Sequence, residues 1–172
     1  MSLNIFAANL DEPDFTQRVS LYLMKQHIRP ERLELEVTEG AALADTGQSR
    51  AQLDLLRAAG VDVAIDDFGT GYSSLSYLQS LPASVVKIDQ SFIKDIGHDD
   101  RAAALVGQII ALANCLDYRT VAEGVEDEDI LLRLHKLGCD EAQGFHLSRP
   151  LEKAHFLEWL QSPGEHKVRA AA

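Results

Sequence analysis

Short apolar segments alternate with amphipathic helical segments along nearly the whole chain, and this alternation restricts the fold more than any other feature. Runs rich in β-branched residues predict strands, and apolar residues at helical spacing between them predict helices. The predicted strands cover residues 3–7, 33–37, 61–65, 85–88, 120–122 and 140–145. Strands that alternate with helices form parallel sheets, so the sequence predicts an α/β domain. The periodicity does not choose between an open sheet and a closed barrel.

Residues that start and stop helices divide the rest of the sequence. Pro13 and Asp14 precede the first predicted helix, and glycines at 60 and 138 end two others. Helices are predicted from residue 15, at 51–59, at 74–81, after Asp99 and Asp100, at 130–137 and at 152–160. The helix from residue 100 is predicted to bury Leu105, Ile109, Leu112 and Leu116. Residues 1–161 form one predicted domain, and residues 162–172 are predicted to be a disordered tail.

The charge of the chain limits the partners that it can have. With 16 basic and 27 acidic residues, the 172-residue chain carries a net charge of −11, which disfavours DNA and anionic membranes. An anionic ligand would need metal ions to reverse the local sign of the charge. No apolar run is long enough to span a membrane, and Cys115 and Cys139 match no metal motif or disulfide framework. We expect a cytoplasmic location, with both cysteines as buried thiols.

A polar side chain stands at or just after the end of each predicted strand. In chain order these are Asn4; Glu36, Thr38 and Glu39; Asp66 and Asp67; Lys87 and Asp89; Glu123 and Glu126; and Gln143. The carboxyl ends of parallel strands meet at one edge, where βα-barrels carry their active sites. Carboxylate and amide oxygens suit Mg²⁺ or Mn²⁺, and two such ions about 3.5–4 Å apart support phosphodiester hydrolysis. Any one of these residues alone would be interpreted as a solvated strand end.

Five segments, in this order and with natural spacing, resemble the motif series of the EAL domain family. They are EVTE at 36–39, DDFGTGYSS at 66–74, KID at 87–89, AEGVE at 122–126 and QGF at 143–145. EAL domains are bacterial phosphodiesterases that linearise cyclic di-GMP. The resemblance implies a TIM-like (β/α) barrel of the EAL type with one antiparallel strand. This chain would supply about six of its eight βα units.

The resemblance also implies a site that holds two Mg²⁺ or Mn²⁺ ions and hydrolyses cyclic di-GMP to linear pGpG by a two-metal mechanism. The implied metal ligands are Asn4, Glu36, Asp66, Asp67 and Glu123. The implied catalytic residues are Asp67, Glu123 and Lys87, of which Lys87 would orient the attacking water. The implied supporting residues are Glu39, Asp89 and Gln143.

A loop and several partners follow from the same resemblance. The implied loop and substrate contacts are Phe68, Gly69, Thr70, Gly71, Tyr72 and Ser73. Glu39 would anchor this loop near a dimer surface. The implied partners are cyclic di-GMP, a second copy of the chain in a homodimer, and sensory or GGDEF domains in the parent protein.

One departure from the family pattern is large. The Glu-Ala-Leu motif that names the family is absent, and the chain begins at what would be the family's third strand. The first metal would lack a glutamate ligand, so we expect truncation to impair this chain. The alternative is a non-catalytic module that binds cyclic di-GMP or docks to a protein. Because the metal-site residues that are present match the active pattern, the phosphodiesterase is the favoured interpretation.

Other residues that could bind a metal, act as a nucleophile or stack on a ligand are interpreted as structural. The six histidines show no ligand spacing. Ser73 and Ser74 have no histidine nearby in the sequence, so a serine nucleophile is not expected. Trp159 is predicted to serve packing rather than ligand stacking.

Overall fold

The computed structural model describes residues 1–43, 47–71, 79 and 81–161. Its six strands form one sheet in sequence order, and all five neighbouring pairs are parallel. The strands are β1 Ser2–Asn4, β2 Glu34–Thr38, β3 Asp62–Phe68, β4 Val85–Ile88, β5 Arg119–Ala122 and β6 Glu141–Ala142. The predicted α/β domain with a parallel sheet is confirmed. The antiparallel strand that the resemblance implies is not one of these six.

The described helices include five that the sequence predicts and three short ones that it does not. The described helices are α1 Ala7–Leu10, α2 Phe15–Lys25, α3 Glu39–Leu43, α4 Gly47–Ala58, α5 Gln90–Ile93, α6 Asp100–Cys115, α7 Glu128–Leu137 and α8 Lys153–Gln161, with a 3₁₀ turn at Pro30–Arg32. None of these helices combines the length and the apolar character that a bilayer crossing requires. The predicted helix at 74–81 lies outside the described residues except for 79 and 81, and the predicted tail at 162–172 lies outside them entirely.

The core lies between the sheet and the helices. Alternate strand residues face the helices and are almost completely buried; they include Leu35, Val37, Val63, Ile65, Val86 and Ile88. Burial of each such side chain contributes about 1.5–3 kcal/mol, which makes this helix-covered face the main source of stability. Gly60 at φ +89° and Gly138 at φ +81° end α4 and α7, as predicted, because glycine adopts left-handed backbone without strain.

The other face of the sheet, here called the inner face, carries its side chains in three layers. Ala64, Val85 and Val121 form a small apolar layer in the middle. Towards the amino ends of the strands lies a charged layer, in which the Arg119 guanidinium pairs with Glu34, Asp62 and Glu141. Towards the carboxyl ends lies the layer that contains most of the predicted site residues. The strand register therefore places these residues on one surface.

Three predicted strand boundaries are wrong, each for a local reason. The first strand ends at Asn4, because the backbone N–H of Phe6 donates to Oδ1 of Asn9 at 3.0 Å and starts α1. The third strand continues to Phe68, since both of its neighbours extend the pairing. The sixth strand covers only Glu141–Ala142, because the following residues turn across the end of β5.

Two burial predictions are wrong in part. Leu105 is 51% exposed, whereas Ile109, Leu112 and Leu116 are partly buried and pack against the core. The fully buried residues of α6 are Ala103, Val106, Ile110 and Ala113. Cys115 is exposed, and Cys139 is half-buried.

Candidate active site

A β-bulge at the end of β3 brings two consecutive aspartates to one side of the sheet. Ile65 pairs with Val86 and Phe68 with Ile88, so β3 contains one residue more than β4 over this span. Asp67 has φ +54°, a left-handed conformation that few side chains tolerate and that aspartate accepts better than most. Ligand oxygens of Asp66, Asp67 and Glu123 consequently lie within 4.8 Å of one another.

Lys87 stands at the centre of this acidic cluster. Its Nζ lies 2.9 Å from Oε2 of Glu36, 2.9 Å from Oδ1 of Asp66 and 2.6 Å from Oε1 of Glu123. The lysine is 4% exposed, so the ion pairs are shielded from water. Burial alone would lower the pKa of Lys87, but the hydrogen bonds to the three carboxylates outweigh it and raise the pKa. Lys87 is therefore a permanent cation that links β2, β3, β4 and the end of β5.

The carboxylates of the cluster still carry an excess of negative charge. Burial raises the pKa of Glu123 more than the neighbouring Lys87 lowers it. Burial and the charges of Asp66 and Asp89 raise the pKa of Asp67. Both shifts have the direction expected where carboxylates outnumber cations. A divalent cation would relieve this repulsion, and a donor set made only of oxygens fits Mg²⁺ or Mn²⁺.

Residues after β5 and β6 hold Glu123 in place. Nε2 of Gln143 donates to Oε1 of Glu123 at 2.9 Å. The backbone N–H of Val125 donates to the carbonyl of Gln143 at 3.1 Å, which joins the two strand exits. A Cβ at Gly144 would lie 2.1 Å from the carbonyl oxygen of Val125, so only glycine permits this approach.

Glu39 anchors the start of the loop that follows β3. It is 3% exposed, and its Oε2 accepts a hydrogen bond from the backbone N–H of Gly69 at 3.1 Å. A Cβ at Gly71 would lie 2.6 Å from Oε1 of Glu39, so the loop passes directly over this carboxylate. Of the predicted loop residues, Phe68 to Gly71 are described, whereas Tyr72 and Ser73 lie outside the described residues.

The remaining predicted site residues lie at the margins of the cluster. Asn4 on β1 is opposite Glu36 in the strand register, which places it on the inner face. Asp89 caps α5, and its Oδ1 accepts from the backbone N–H of Ser91 at 2.9 Å. This hydrogen bond lowers the pKa of Asp89. Asp89 thus remains charged, and its charge in turn acts on Asp67.

Sequence reasoning did not find a cavity of about 570 Å³ that adjoins Glu123 and Gln143. Its wall includes Phe156 and Trp159 of α8, although Trp159 was interpreted as a packing residue. The two aromatic residues are three positions apart on a helix, so they share one face. That spacing is the signal that would have indicated a common surface.

Comparisons with known proteins show the family to which the chain belongs. A family model for the EAL domain matches residues 1–150. MucR of Pseudomonas aeruginosa, a bifunctional diguanylate cyclase and cyclic di-GMP phosphodiesterase, is 44% identical over 151 residues, or 88% of this chain and 22% of MucR. This chain thus spans about a fifth of the length of that curated relative.

Solved structures match over most of the chain. The complex of the MucR phosphodiesterase with cyclic di-GMP is 43% identical with a TM-score of 0.82, covering 90% of this chain and 63% of that one. Two Klebsiella pneumoniae BlrP1 complexes with cyclic di-GMP, one with calcium and one with manganese, have TM-scores of 0.79 and 0.80. They are 33% and 34% identical and cover 87% of this chain and 38% of theirs. These EAL structures are TIM-like barrels, so the predicted fold class is confirmed.

Proposed function

Because this chain belongs to the EAL domain family, we propose that it is a cyclic di-GMP phosphodiesterase domain. It hydrolyses one of the two phosphodiester bonds of the dinucleotide and releases linear pGpG. The observation that carries this proposal is the group of Asp66, Asp67 and Glu123, whose ligand oxygens gather within 4.8 Å beside the buried cation Lys87. The fold places this group at the carboxyl ends of parallel strands, where βα-barrels carry their active sites.

The oxygen ligands of the inner face would hold two divalent cations, Mg²⁺ or Mn²⁺. Asn4, Glu36 and Asp66 would bind the first, while Asp66, Asp67 and Glu123 would bind the second. Such ions, when bound, act as Lewis acids that neutralise phosphate charge and make water more acidic. The net charge of −11 supports this requirement, because without cations the cluster would repel an anionic dinucleotide.

Lys87 serves as a hydrogen-bond donor and not as a base. Since its pKa is raised, the ammonium keeps its protons at neutral pH and can orient a water molecule near Glu123. Glu123, whose carboxylate Gln143 fixes, would hold the second cation beside that water. The water oxygen attacks phosphorus and the water loses a proton to solvent, the bond from phosphorus to the 3′ oxygen breaks, and the 3′ oxygen takes up a proton from solvent.

The proposal extends to the surroundings of the site. The loop from Phe68, anchored through Glu39 and Gly69, lies beside the cluster and contributes to substrate contacts and to a homodimer surface. The domain works in the cytoplasm with its two cysteines as free thiols. In the parent protein, sensory or GGDEF domains control it. Light scattering at high protein concentration tests the homodimer, and a strictly monomeric mass counts against it.

The 172-residue chain by itself is proposed to turn over slowly. β1, which carries Asn4, pairs with β2 on one side and has no second neighbour within the described part of the sheet. An edge strand holds its side chains less firmly than a strand between two neighbours, so the first cation would be bound weakly. Weak binding of the first cation would slow turnover without changing the reaction that the site catalyses. Turnover and cation binding are therefore measured separately.

The experiment follows conversion of cyclic di-GMP to pGpG by chromatography with excess Mn²⁺, alongside calorimetric titration of Mn²⁺. We expect slow, metal-dependent turnover that falls about 100-fold or more in Glu123→Gln and in Lys87→Met. Glu128→Gln, an exposed residue of α7, is the control and should leave turnover unchanged. Turnover that persists in Glu123→Gln contradicts the assignment. Binding of cyclic di-GMP without any hydrolysis would instead indicate the non-catalytic module.

A further inference from the structure

Thr120 and Asp140 join the amino ends of β5 and β6 by three hydrogen bonds. Oδ2 of Asp140 accepts from the backbone N–H of Thr120 and from its hydroxyl, both at 2.8 Å. Oγ1 of Thr120 in turn accepts from the backbone N–H of Asp140 at 3.1 Å. Thr120 is completely buried, and hydrogen bonds to a carboxylate are stronger than those between neutral groups. The Thr120–Asp140 pair is therefore a strong link between two segments that are 20 residues apart.

The Thr120–Asp140 pair lies at the same distance from the candidate active site on both strands. Glu123 follows Thr120 by three residues, and Gln143 follows Asp140 by three residues. The two residues in between on each strand pair with each other in parallel register. At the far end, Nε2 of Gln143 donates to Oε1 of Glu123 at 2.9 Å. The relative position of the two amino ends thus determines whether Gln143 reaches Glu123.

The strand β6 by itself holds its register weakly. It has two residues and lies at an edge of the described sheet, where it pairs with β5 alone. An ion pair of Arg119 with Glu141 also links this end, but both groups are exposed and such pairs contribute little. A slip by one residue would turn Gln143 to the opposite face, away from Glu123. The slip would also leave the buried N–H and hydroxyl of Thr120 without their partner, and this cost opposes it.

We propose that Asp140, held by Thr120, is a positioning residue for the proposed hydrolysis. It fixes the register of β6, which keeps the Gln143 amide on the Glu123 carboxylate. The contact at Gly144 secures the other end of this strand, so Gln143 lies between two fixed points. Neither Thr120 nor Asp140 lines the cavity beside Glu123, so the pair acts through the strands rather than on the substrate. The inference rests on the proposed function, since it gives these residues a part in hydrolysis.

The test compares Asp140→Ala with the parent chain in turnover of cyclic di-GMP with excess Mn²⁺ and in calorimetric titration of Mn²⁺. Loss of a group that orients a metal ligand usually lowers metal affinity or activity about 10- to 100-fold, and we expect a decrease of that size in both. Asp140→Asn keeps an oxygen that accepts from Thr120, so it should retain more of both quantities. Thr120→Val, which removes the hydroxyl and keeps the shape of the side chain, should lower both, whereas Thr120→Ser should lower them less.

Two control variants distinguish positioning from a general loss of stability. Tyr118→Phe removes a buried hydroxyl just before β5, which donates to the carbonyl of Leu81 at 3.0 Å. Glu141→Gln breaks the exposed ion pair with Arg119, at the residue next to Asp140. We expect both variants to keep turnover and Mn²⁺ affinity within about twofold of the parent, even where the free energy of unfolding falls.

A double-mutant cycle with Gln143 tests whether Asp140 acts through this residue. In Gln143→Ala the hydrogen bond to Glu123 is already lost, so adding Asp140→Ala should lower turnover by less than about a further twofold. A residue that only stabilised the fold would lower turnover by the same factor in both backgrounds. Equal factors would therefore overturn the inference. If Asp140→Ala does not fold, Thr120→Val in the same two backgrounds gives the comparison.

A measurement without metal or substrate separates this inference from the proposed function. Nuclear magnetic resonance detects the side-chain amide of Gln143, which is identified by its absence in Gln143→Ala. In the metal-free chain, Asp140→Ala should move this signal to the position of a glutamine without that hydrogen bond, and Glu141→Gln should leave it in place.

The outcomes are distinct. If cyclic di-GMP is hydrolysed, yet Asp140→Ala matches Glu141→Gln in turnover and in the Gln143 signal, the positioning inference is wrong and the proposed function stands. If the parent chain does not hydrolyse cyclic di-GMP, the proposed function fails. The Gln143 signal then decides by itself whether Asp140 sets the register of β6: a shift in Asp140→Ala supports this role, and an unchanged signal overturns it.

Discussion

Asp67 shows how one backbone conformation determines the chemistry of the site. Without the left-handed φ of +54°, Asp66 and Asp67 would alternate across the sheet, as consecutive strand residues do. The bulge turns both carboxylates towards Glu123, where burial and the repulsion by Asp66 and Asp89 raise the pKa of Asp67. The conformation and the repulsion both cost free energy. Such strain occurs at functional sites, because the surrounding fold holds it in place.

A pair of variants measures this backbone strain. Asp67→Asn and Asp67→Val both remove the charge, but a β-branched residue fits left-handed backbone much less well than asparagine does. We expect Asp67→Val to be about 1–2 kcal/mol less stable to urea than Asp67→Asn. The same two changes at Asp62, at the start of β3 and outside the bulge, provide the control. Equal stability of the Asp67 variants would show that this backbone is not strained.

Lys87 offers a second test at the scale of a residue. Lys87→Met leaves Glu36, Asp66 and Glu123 without their shared cation, and we expect a loss of about 3–5 kcal/mol in unfolding free energy. Mn²⁺ should restore part of the stability by replacing the missing charge. Exposed Lys94→Met is the control. A variant as stable as Lys94→Met, or one insensitive to Mn²⁺, would contradict the central role of this cation.

The pH dependence of this ion-pair network follows from the direction of the shift. The folded pKa of Lys87 is raised above its ordinary value of 10.5. The stabilisation is therefore fully present below that ordinary pKa and is lost as the pH rises through the higher folded value. The difference in stability between parent and Lys87→Met should then be constant from pH 7 to 9.

At the scale of elements, the site depends on how closely the exits of β5 and β6 approach each other. Gly144 lies against the backbone of Val125, and Gln143 reaches Glu123 because of that contact. The segments after β5 and β6 thus make contact because Gly144 has no side chain. The short β6, only Glu141–Ala142, ends early because the chain turns to make this contact.

Gly144→Ala tests this contact. The added Cβ would lie 2.1 Å from the carbonyl oxygen of Val125, so the segments after β5 and β6 must move apart. We expect this movement to cost about 1–3 kcal/mol of stability. We also expect weaker Mn²⁺ binding by calorimetry, since Glu123 loses its support. At Gly47 an added Cβ would meet no atom within 4 Å, so Gly47→Ala should lower neither the stability nor the Mn²⁺ affinity. Unaltered Mn²⁺ affinity in Gly144→Ala would show that the contact between Gly144 and Val125 does not support Mn²⁺ binding.

At the scale of the whole molecule, the described sheet is open, with β1 and β6 at its edges. An apolar groove of about 420 Å³ runs along β1 and is lined by Leu3, Phe15, Val19 and Tyr22, among others. Unpaired strand edges and exposed apolar side chains both favour association. The same opening leaves Asn4 on an edge strand, so the proposed binding of the first cation and the expected association depend on one feature of the described sheet.

We therefore expect the chain to self-associate at high concentration, and Leu3→Lys to reduce this association. Leu3 is 48% exposed on the edge strand, and a charge there opposes edge pairing. Leu132→Lys, at a residue 47% exposed on α7, serves as the control. Sedimentation velocity measures the result. A monomeric parent chain, or equal association of both variants, would contradict the role of this edge.

The sequence by itself determined the fold class and predicted most members of the candidate site. Strand and helix periodicities are local properties, so the alternation of elements and the helix ends at Gly60 and Gly138 were predictable without tertiary contacts. The order of Glu36, Asp66, Lys87 and Glu123 at successive strand ends already placed them at one edge of a parallel sheet. Boundaries were less predictable where neighbouring strands extended β3 or a turn shortened β6.

Only the tertiary structure decided the arrangement of these groups in space. The bulge that turns Asp67 towards Asp66, the three carboxylates around Lys87 and the closeness of Gly144 to Val125 depend on contacts between distant segments. Tertiary contacts also decided which residues of α6 are fully buried, because a helix that is apolar nearly all round gives a weak periodic signal. The same holds for Phe156 and Trp159 of α8, which line a cavity. A sequence pattern shows which side chains share a helix face, whereas the neighbouring strands and loops decide whether that face meets a core or a cavity.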